Sequence, residues 1–161
     1  MVDYRKATAE DLETIWDYQI AANPDEPAWV RWKGEFIANN RSGAAATFVA
    51  VVDGIPVGEG TLLFSPECKA IRGRLSLADG AATTNINALR IRKAYEGRGY
   101  ISGLVKFMEG YAKDHGISRI TIGVEAVEAR NLSIYLHWGY DKFLLSEGDG
   151  QELVLYYGKD L

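Results

Sequence analysis

Apolar positions recur along this chain at two different spacings, and the spacing assigns the elements. Val2 to Ala7 has the length of a short strand, and Thr8-Ala9-Glu10-Asp11 then supplies an N-cap and an acidic first turn. Leu12, Ile15, Trp16 and Ile20 follow on one face of a helix. Asn23-Pro24-Asp25-Glu26-Pro27 breaks that helix, because proline lacks the N–H and the steric freedom to continue it. Trp29, Trp32, Phe36 and Ile37 mark a second helix from about Ala28, which Asn39-Asn40-Arg41-Ser42-Gly43 ends. Thr47 to Val52 and Ile55 to Phe64, joined by Asp53-Gly54, read as a β-hairpin with Glu59 inside its second strand.

Ser65 to Gly80 has no strong period and reads as a connection, with a short strand expected around Leu75 to Leu77. Thr83 to Arg92 is the next strand. Its apolar positions do not alternate cleanly, which suits burial on both faces or a bulge. A glycine turn opens a helix with Leu104, Val105, Met108, Tyr111 and Ala112 on one stripe, closed by His115-Gly116. Ile117 to Val124 is a strand, Glu128 to Trp138 a short helix, and Tyr140 to Leu145 and Leu153 to Tyr157 are two final strands. This order predicts an α+β (mixed α/β) layered fold in a single domain over residues 1–161.

Composition narrows the function classes. The chain has 161 residues and a formal net charge of -4, without the basic face of a nucleic-acid-binding protein, so no nucleic acid is expected as partner. No apolar run reaches membrane-spanning length, and no membrane association is expected. Cys68 is the single cysteine, which rules out an intrachain disulfide and suits a reducing, cytoplasmic setting. His115 and His137 do not make a metal-ligand spacing, so no metal is expected.

The stretch with the most chemistry is Leu89-Arg90-Ile91 through Glu96-Gly97-Arg98-Gly99-Tyr100-Ile101-Ser102. A helix N-terminus presents unpaired N–H groups and partial positive charge, and glycines let an anion approach them. A phosphate site is one reading of this turn, and a purely steric use of the glycines is the other. A second stretch, Asn131-Leu132-Ser133-Ile134-Tyr135-Leu136-His137-Trp138-Gly139-Tyr140, places a tyrosine four residues before Gly-Tyr.

Together the two stretches resemble the signature of the GNAT superfamily of acyl-CoA-dependent N-acetyltransferases. The resemblance is close from about Thr83 to Phe143, and the earlier elements also come in that family's order. It implies a central, mostly antiparallel sheet of about six or seven strands with about four helices on both faces. It also implies acetyl-CoA as cosubstrate, with the main chain of Gly97, Arg98, Gly99, Tyr100, Ile101 and Ser102 holding the pyrophosphate. Leu89 and Ile91 would pair with the pantetheine arm through their main chain, and Asn131 would meet the pantetheine or nucleotide end. The sequence departs from the pattern at Glu96, where the family has Arg or Gln, and at Ile101, where it has Gly or Ala. A carboxylate near a pyrophosphate costs Coulomb energy, so these departures bear on affinity.

Acetyl transfer to an amine needs a neutral amine, a polarised carbonyl and a proton for the departing thiolate. Tyr135 is the candidate general acid, since a phenol stays protonated at neutral pH. Glu125 and Glu59 are the candidate general bases; Cys68 as nucleophile and His137 as catalyst are weaker alternatives. The acceptor expected is a primary amine of a small molecule or peptide, in a pocket whose candidate wall residues are Trp29, Trp32, Tyr156 and Tyr157. The terminal strands are a candidate homodimer surface. The alternative reading is a non-catalytic acyl-CoA-binding or regulatory module with the same fold.

Overall fold

A computed structural model describes residues 1–161, in which Val2–Lys6 (β1), Ala45–Val52 (β2), Ile55–Leu63 (β3), Thr83–Ile91 (β4), Arg119–Glu125 (β5), Lys142–Glu147 (β6) and Val154–Asp160 (β7) form the strands. The helices are Ala9–Ala22 (α1), Ala28–Ser42 (α2), Tyr100–Asp114 (α3) and Ala129–His137 (α4). The seven strands make one sheet in the order β1-β2-β3-β4-β5-β7-β6, the mixed α+β class the element order predicts. No helix is long and apolar enough to cross a membrane. Two compact units divide the chain, residues 1–62 with 88–110 and residues 63–87 with 111–161.

In the first unit, β1 pairs antiparallel with β2 from Val2↔Val52 to Lys6↔Phe48. Thr8 closes a capping box on α1: its hydroxyl accepts from the Asp11 N–H at 3.1 Å, and the Asp11 carboxylate accepts from the Thr8 N–H at 2.8 Å. Burial works against the charge of Asp11, but its hydrogen bonds with Arg5 and Thr8 outweigh it and hold the carboxyl below the ordinary range. Asp53 (φ 50°) and Gly54 (φ 77°) both sit in the left-handed region that a two-residue type I′ hairpin requires. The core is built on Ile15, Trp16, Phe36, Phe48, Leu62, Leu104 and Met108, the residues the helical and strand periods place inward.

The second unit is arranged about β5. It pairs parallel with β4 over Thr83↔Arg119 to Ile86↔Ile122, and antiparallel with β7 along its whole length, Arg119↔Asp160 to Glu125↔Val154. β6 pairs with β7 at the outer position, with a register shift between Phe143 and Leu145. The connection from Phe64 to Ala82 forms turns, and the strand expected around Leu75 to Leu77 is absent. One local and one long-range hydrogen bond hold these turns instead. The Leu77 N–H closes on the Arg74 carbonyl, the Leu77 carbonyl accepts from the buried Thr121 hydroxyl at 2.9 Å, and the Leu77 side chain fills the core.

Candidate active site

Within the first unit, β4 changes character at Ala88, whose φ of 52° is unusual for a residue with a side chain and breaks the regular extension of the strand. Beyond it the side chains alternate. A Cβ at Gly60 would lie 2.9 Å from Leu89 Cδ1 and 2.9 Å from Met108 Sδ, and one at Gly58 would lie 3.6 Å from Ile91 Cγ1. Leu89 and Ile91 therefore lie over the glycines of β3 on the α3 side, and Arg90 and Arg92 turn to the other face. The Arg92 N–H donates to the Val57 carbonyl at 2.8 Å, so the N–H of its neighbour Ile91 is directed to the opposite edge of the strand.

After a single 3-10 turn, Lys93–Tyr95, the chain passes through Gly97 (φ 76°) and Gly99 (φ 78°), both exposed and with open space around them. Only glycine adopts these angles without strain. The first bond of α3 is Gly103 N–H to the Gly99 carbonyl at 3.1 Å, and none of the N–H groups from Gly97 to Ser102 meets a protein acceptor. Six consecutive donors thus open α3, next to a loop without side-chain bulk at its two glycines. Tyr4 braces the start of the helix: a Cβ at Gly103 would fall 2.1 Å from its hydroxyl oxygen. Glu96 is exposed at the turn, and Ile101 is half-buried in the first turn of α3.

The opposite face of β3 and β4 carries a charged pair that sequence reasoning left unpaired. Glu59, whose side chain is 6% exposed, accepts from Arg90 Nε at 2.8 Å. The Arg90 guanidinium lies against the rings of Trp16 and Trp29, at 4.7 and 5.0 Å from their centroids, and its Nη2 is buried with no hydrogen-bond partner. Burial pushes the Glu59 carboxyl up, against the opposing pull of Arg90 and Arg92. Arg92 stacks on Tyr18 at 4.0 Å and makes no ion pair. The signal available beforehand was the strand period, which puts residues 90 and 92 on one face.

In the second unit, Tyr135 sits half-buried in α4, its ring 5.7 Å from that of Trp138. Burial first, and the charge of Glu128 second, push its phenol above the ordinary value, so it remains protonated throughout the neutral range. Asn131 is exposed in the first turn of the same helix. Glu125 is exposed at the end of β5, where its carbonyl accepts from the Glu128 N–H at 2.9 Å and its carboxylate makes no ion pair. Tyr156 covers Gly123 across the β5–β7 pair, which leaves Tyr156 a packing role as well as that of a candidate wall. Cys68 is buried, and burial raises its thiol, the opposite of an activated nucleophile. His137 is exposed.

The sequence matches the acetyltransferase (GNAT) family over residues 8–140. The chain belongs to that family. The turn at Gly97 and Gly99, β4 and α4 all fall inside the matched range. Among solved structures, the GNAT chain is similar over 100% of its length to the PaiA N-acetyltransferase of Thermoplasma acidophilum in complex with coenzyme A. That match has 19% identity and a TM-score of 0.67 and covers 99% of the other chain. It is similar to ribosomal-protein-alanine N-acetyltransferase of Brucella melitensis at 17% identity and a TM-score of 0.70, covering 99% of each chain. A GNAT family acetyltransferase of Elizabethkingia anophelis with acetyl-CoA bound matches at 15% identity and a TM-score of 0.66, covering 99% of this chain and 98% of that one. At these identities the likeness speaks for the fold. A comparison with curated proteins finds no significant match.

Proposed function

We propose that this GNAT chain, residues 1–161 acting as one domain, is an acetyl-CoA-dependent N-acetyltransferase. It moves an acetyl group to a primary amine of a small molecule or peptide by direct transfer. The observation that carries the reading is the row of unpaired N–H groups from Gly97 to Ser102 at the opening of α3. That row suits a pyrophosphate, since donors and helix dipole act together on an anion. Similar structures from Thermoplasma acidophilum and Elizabethkingia anophelis hold coenzyme A and acetyl-CoA, which agrees with this choice of anion.

When bound, acetyl-CoA supplies a thioester carbonyl and a thiolate leaving group. The chain's own groups take the remaining tasks. The main chain of Leu89 and Ile91 pairs with the pantetheine arm, and the Ile91 N–H donates to the acyl oxygen, a preorganised contact worth about 3–4 kcal/mol in acyl transfer. Tyr135 supplies a proton to the thiolate; its raised phenol keeps that proton available across the neutral range. Asn131 binds the pantetheine or nucleotide end. Glu59 is engaged by Arg90, whereas the Glu125 carboxylate is exposed and unpaired, so Glu125 is the preferred base, acting on the amine directly or through water.

The test is calorimetric titration with acetyl-CoA, followed by thiol release with a panel of amines. Binding with turnover of at least one amine is the expected result. Tight binding without turnover of any amine supports the second reading, a non-catalytic acyl-CoA module, which the unusual Glu96 and Ile101 favour. Failure to bind refutes both.

A further inference from the structure

Arg92 is the one guanidinium on this face of β4 without a carboxylate. Its neighbour two residues back, Arg90, is paired with Glu59 and lies against the rings of Trp16 and Trp29. Arg92 stacks on Tyr18, itself 41% exposed, and makes no ion pair or side-chain hydrogen bond, so its donors are open to solvent or to a ligand. Most acids of α1 and α2 are engaged elsewhere: Asp11 pairs with Arg5, Glu13 and Asp17 both bind Lys33, and Glu35 pairs with Arg31, while Glu10 is exposed. On the strands themselves, two guanidiniums, Arg90 and Arg92, stand against the one buried carboxylate of Glu59, a local excess of positive charge in a chain whose formal charge is -4. The charge is thus local and opposite to the sign of the whole molecule.

From this arrangement we infer that Arg92, backed by the Arg90–Glu59 pair, binds a carboxylate carried by the amine acceptor, which makes the acceptor class amino-acid-like. The inference rests on the transferase reading. A guanidinium fork matches a carboxylate with two parallel N–H donors, and a flat aromatic ring beneath it fixes the fork's plane. Position supports the assignment, because Arg92 follows Ile91, whose N–H the reading assigns to the acyl oxygen. The same positive field favours the neutral form of a nearby amine, which is the nucleophilic form, and disfavours acceptors that present only cations. Arg92 is then a specificity residue that holds the acceptor; it moves no proton.

The experiment compares amino acids with their decarboxylated amines in acetyl-CoA-dependent thiol release, using wild type, Arg92→Ala and Arg92→Lys. The carboxylate-bearing acceptors are expected to show the higher kcat/KM, by about tenfold to a hundredfold, the range of a hydrogen bond to a charged group. Arg92→Ala is expected to erase that margin through KM with kcat nearly unchanged, and Arg92→Lys to restore part of it. Acetyl-CoA affinity should be the same in all three, which separates this role from a structural one. Equal or better use of the decarboxylated amines, or a margin that survives in Arg92→Ala, overturns the inference and leaves the transferase reading standing. If no amine is turned over although acetyl-CoA binds, the transferase reading fails. Tryptophan fluorescence titrated with N-acetyl amino acids then decides the subsite without turnover. Saturable quenching lost in Arg92→Ala supports the carboxylate site, and no quenching refutes it.

Discussion

Replacing Arg90 by Met and Glu59 by Gln removes the two halves of one ion pair, and the structure makes the consequences unequal. Arg90→Met leaves a carboxylate that is 6% exposed without its counter-charge. Stranding a buried charge costs roughly 3–5 kcal/mol, and the lower end applies because Arg90 itself is 23% exposed and the site is not wholly dry. Loss of two cation–π contacts adds to this, offset by the packing of Met against the same rings. Glu59→Gln keeps an oxygen to accept from Arg90 Nε, and Arg90 keeps both tryptophan faces and its solvent access. Exchanging a charge-assisted bond for a neutral one forfeits about 1 kcal/mol, and relief of burying the carboxylate returns part of that. The expected losses are therefore about 3 kcal/mol for Arg90→Met and at most about 1 kcal/mol for Glu59→Gln. For a chain of this length the first corresponds to a fall in Tm of about 6–12 °C. Dependence on pH gives a second handle. Because the folded-state carboxyl of Glu59 titrates above its unfolded value, the stability tied to its protonation is fully present below the ordinary carboxylate range. It is lost as the pH rises through the folded value. Glu59→Gln should remove that slope, and the deficit of Arg90→Met should shrink as the pH falls from neutral through the ordinary carboxylate range and Glu59 protonates. Urea unfolding at both ends of that range measures this. Equal losses in the two variants, or a deficit in Arg90→Met that does not change with pH, would refute the reasoning that burial dominates the pair.

Three further predictions concern other parts of the molecule. Tyr135→Phe should lower kcat about 100-fold or more while calorimetric acetyl-CoA affinity stays within twofold, the size of a lost general acid; an unchanged kcat in single-turnover measurements removes Tyr135 from the mechanism. Glu96→Gln should tighten acetyl-CoA by about two- to fivefold at low salt, the size of one charge beside a helix N-terminus, with the gain fading as salt rises. A salt-independent affinity equal to wild type would show that the carboxylate does not act on the anion. Gly123→Val should destabilise by about 1–3 kcal/mol in thermal denaturation, since a Cβ there would lie 2.7 Å from Tyr156 Cε1. Tyr156→Ala in the same chain should cost less than the two changes added separately, and strict additivity would disprove the contact.

What could be read ahead of the structure was whatever short-range physics enforces. Thr8 and Asp11 reach each other over three residues, Asp53-Gly54 needs two left-handed angles, and the stripe Leu104, Val105, Met108 and Ala112 repeats every helical turn; all three appear as expected. The misread stretch, Leu75 to Leu77, has strand-compatible residues, but its conformation is set by Thr121, 44 positions further along. The same distance problem hid Glu59. An acid inside an apolar strand has no readable meaning until its partner is known, and Arg90 lies 31 residues away beyond an irregular connection. Placement of β7 between β5 and β6 is another long-range choice that local pattern does not encode. The glycine turn is the instructive intermediate case. Gly97 and Gly99 were legible because their angles admit little else, whereas Glu96 and Ile101 looked like damage to the motif. The donors at this turn belong to the main chain, and all six N–H groups remain unpaired with Glu96 and Ile101 in place. Side-chain departures there change the charge and bulk around a backbone cradle without dismantling it, so they bear on how tightly an anion is held before they bear on whether a site exists.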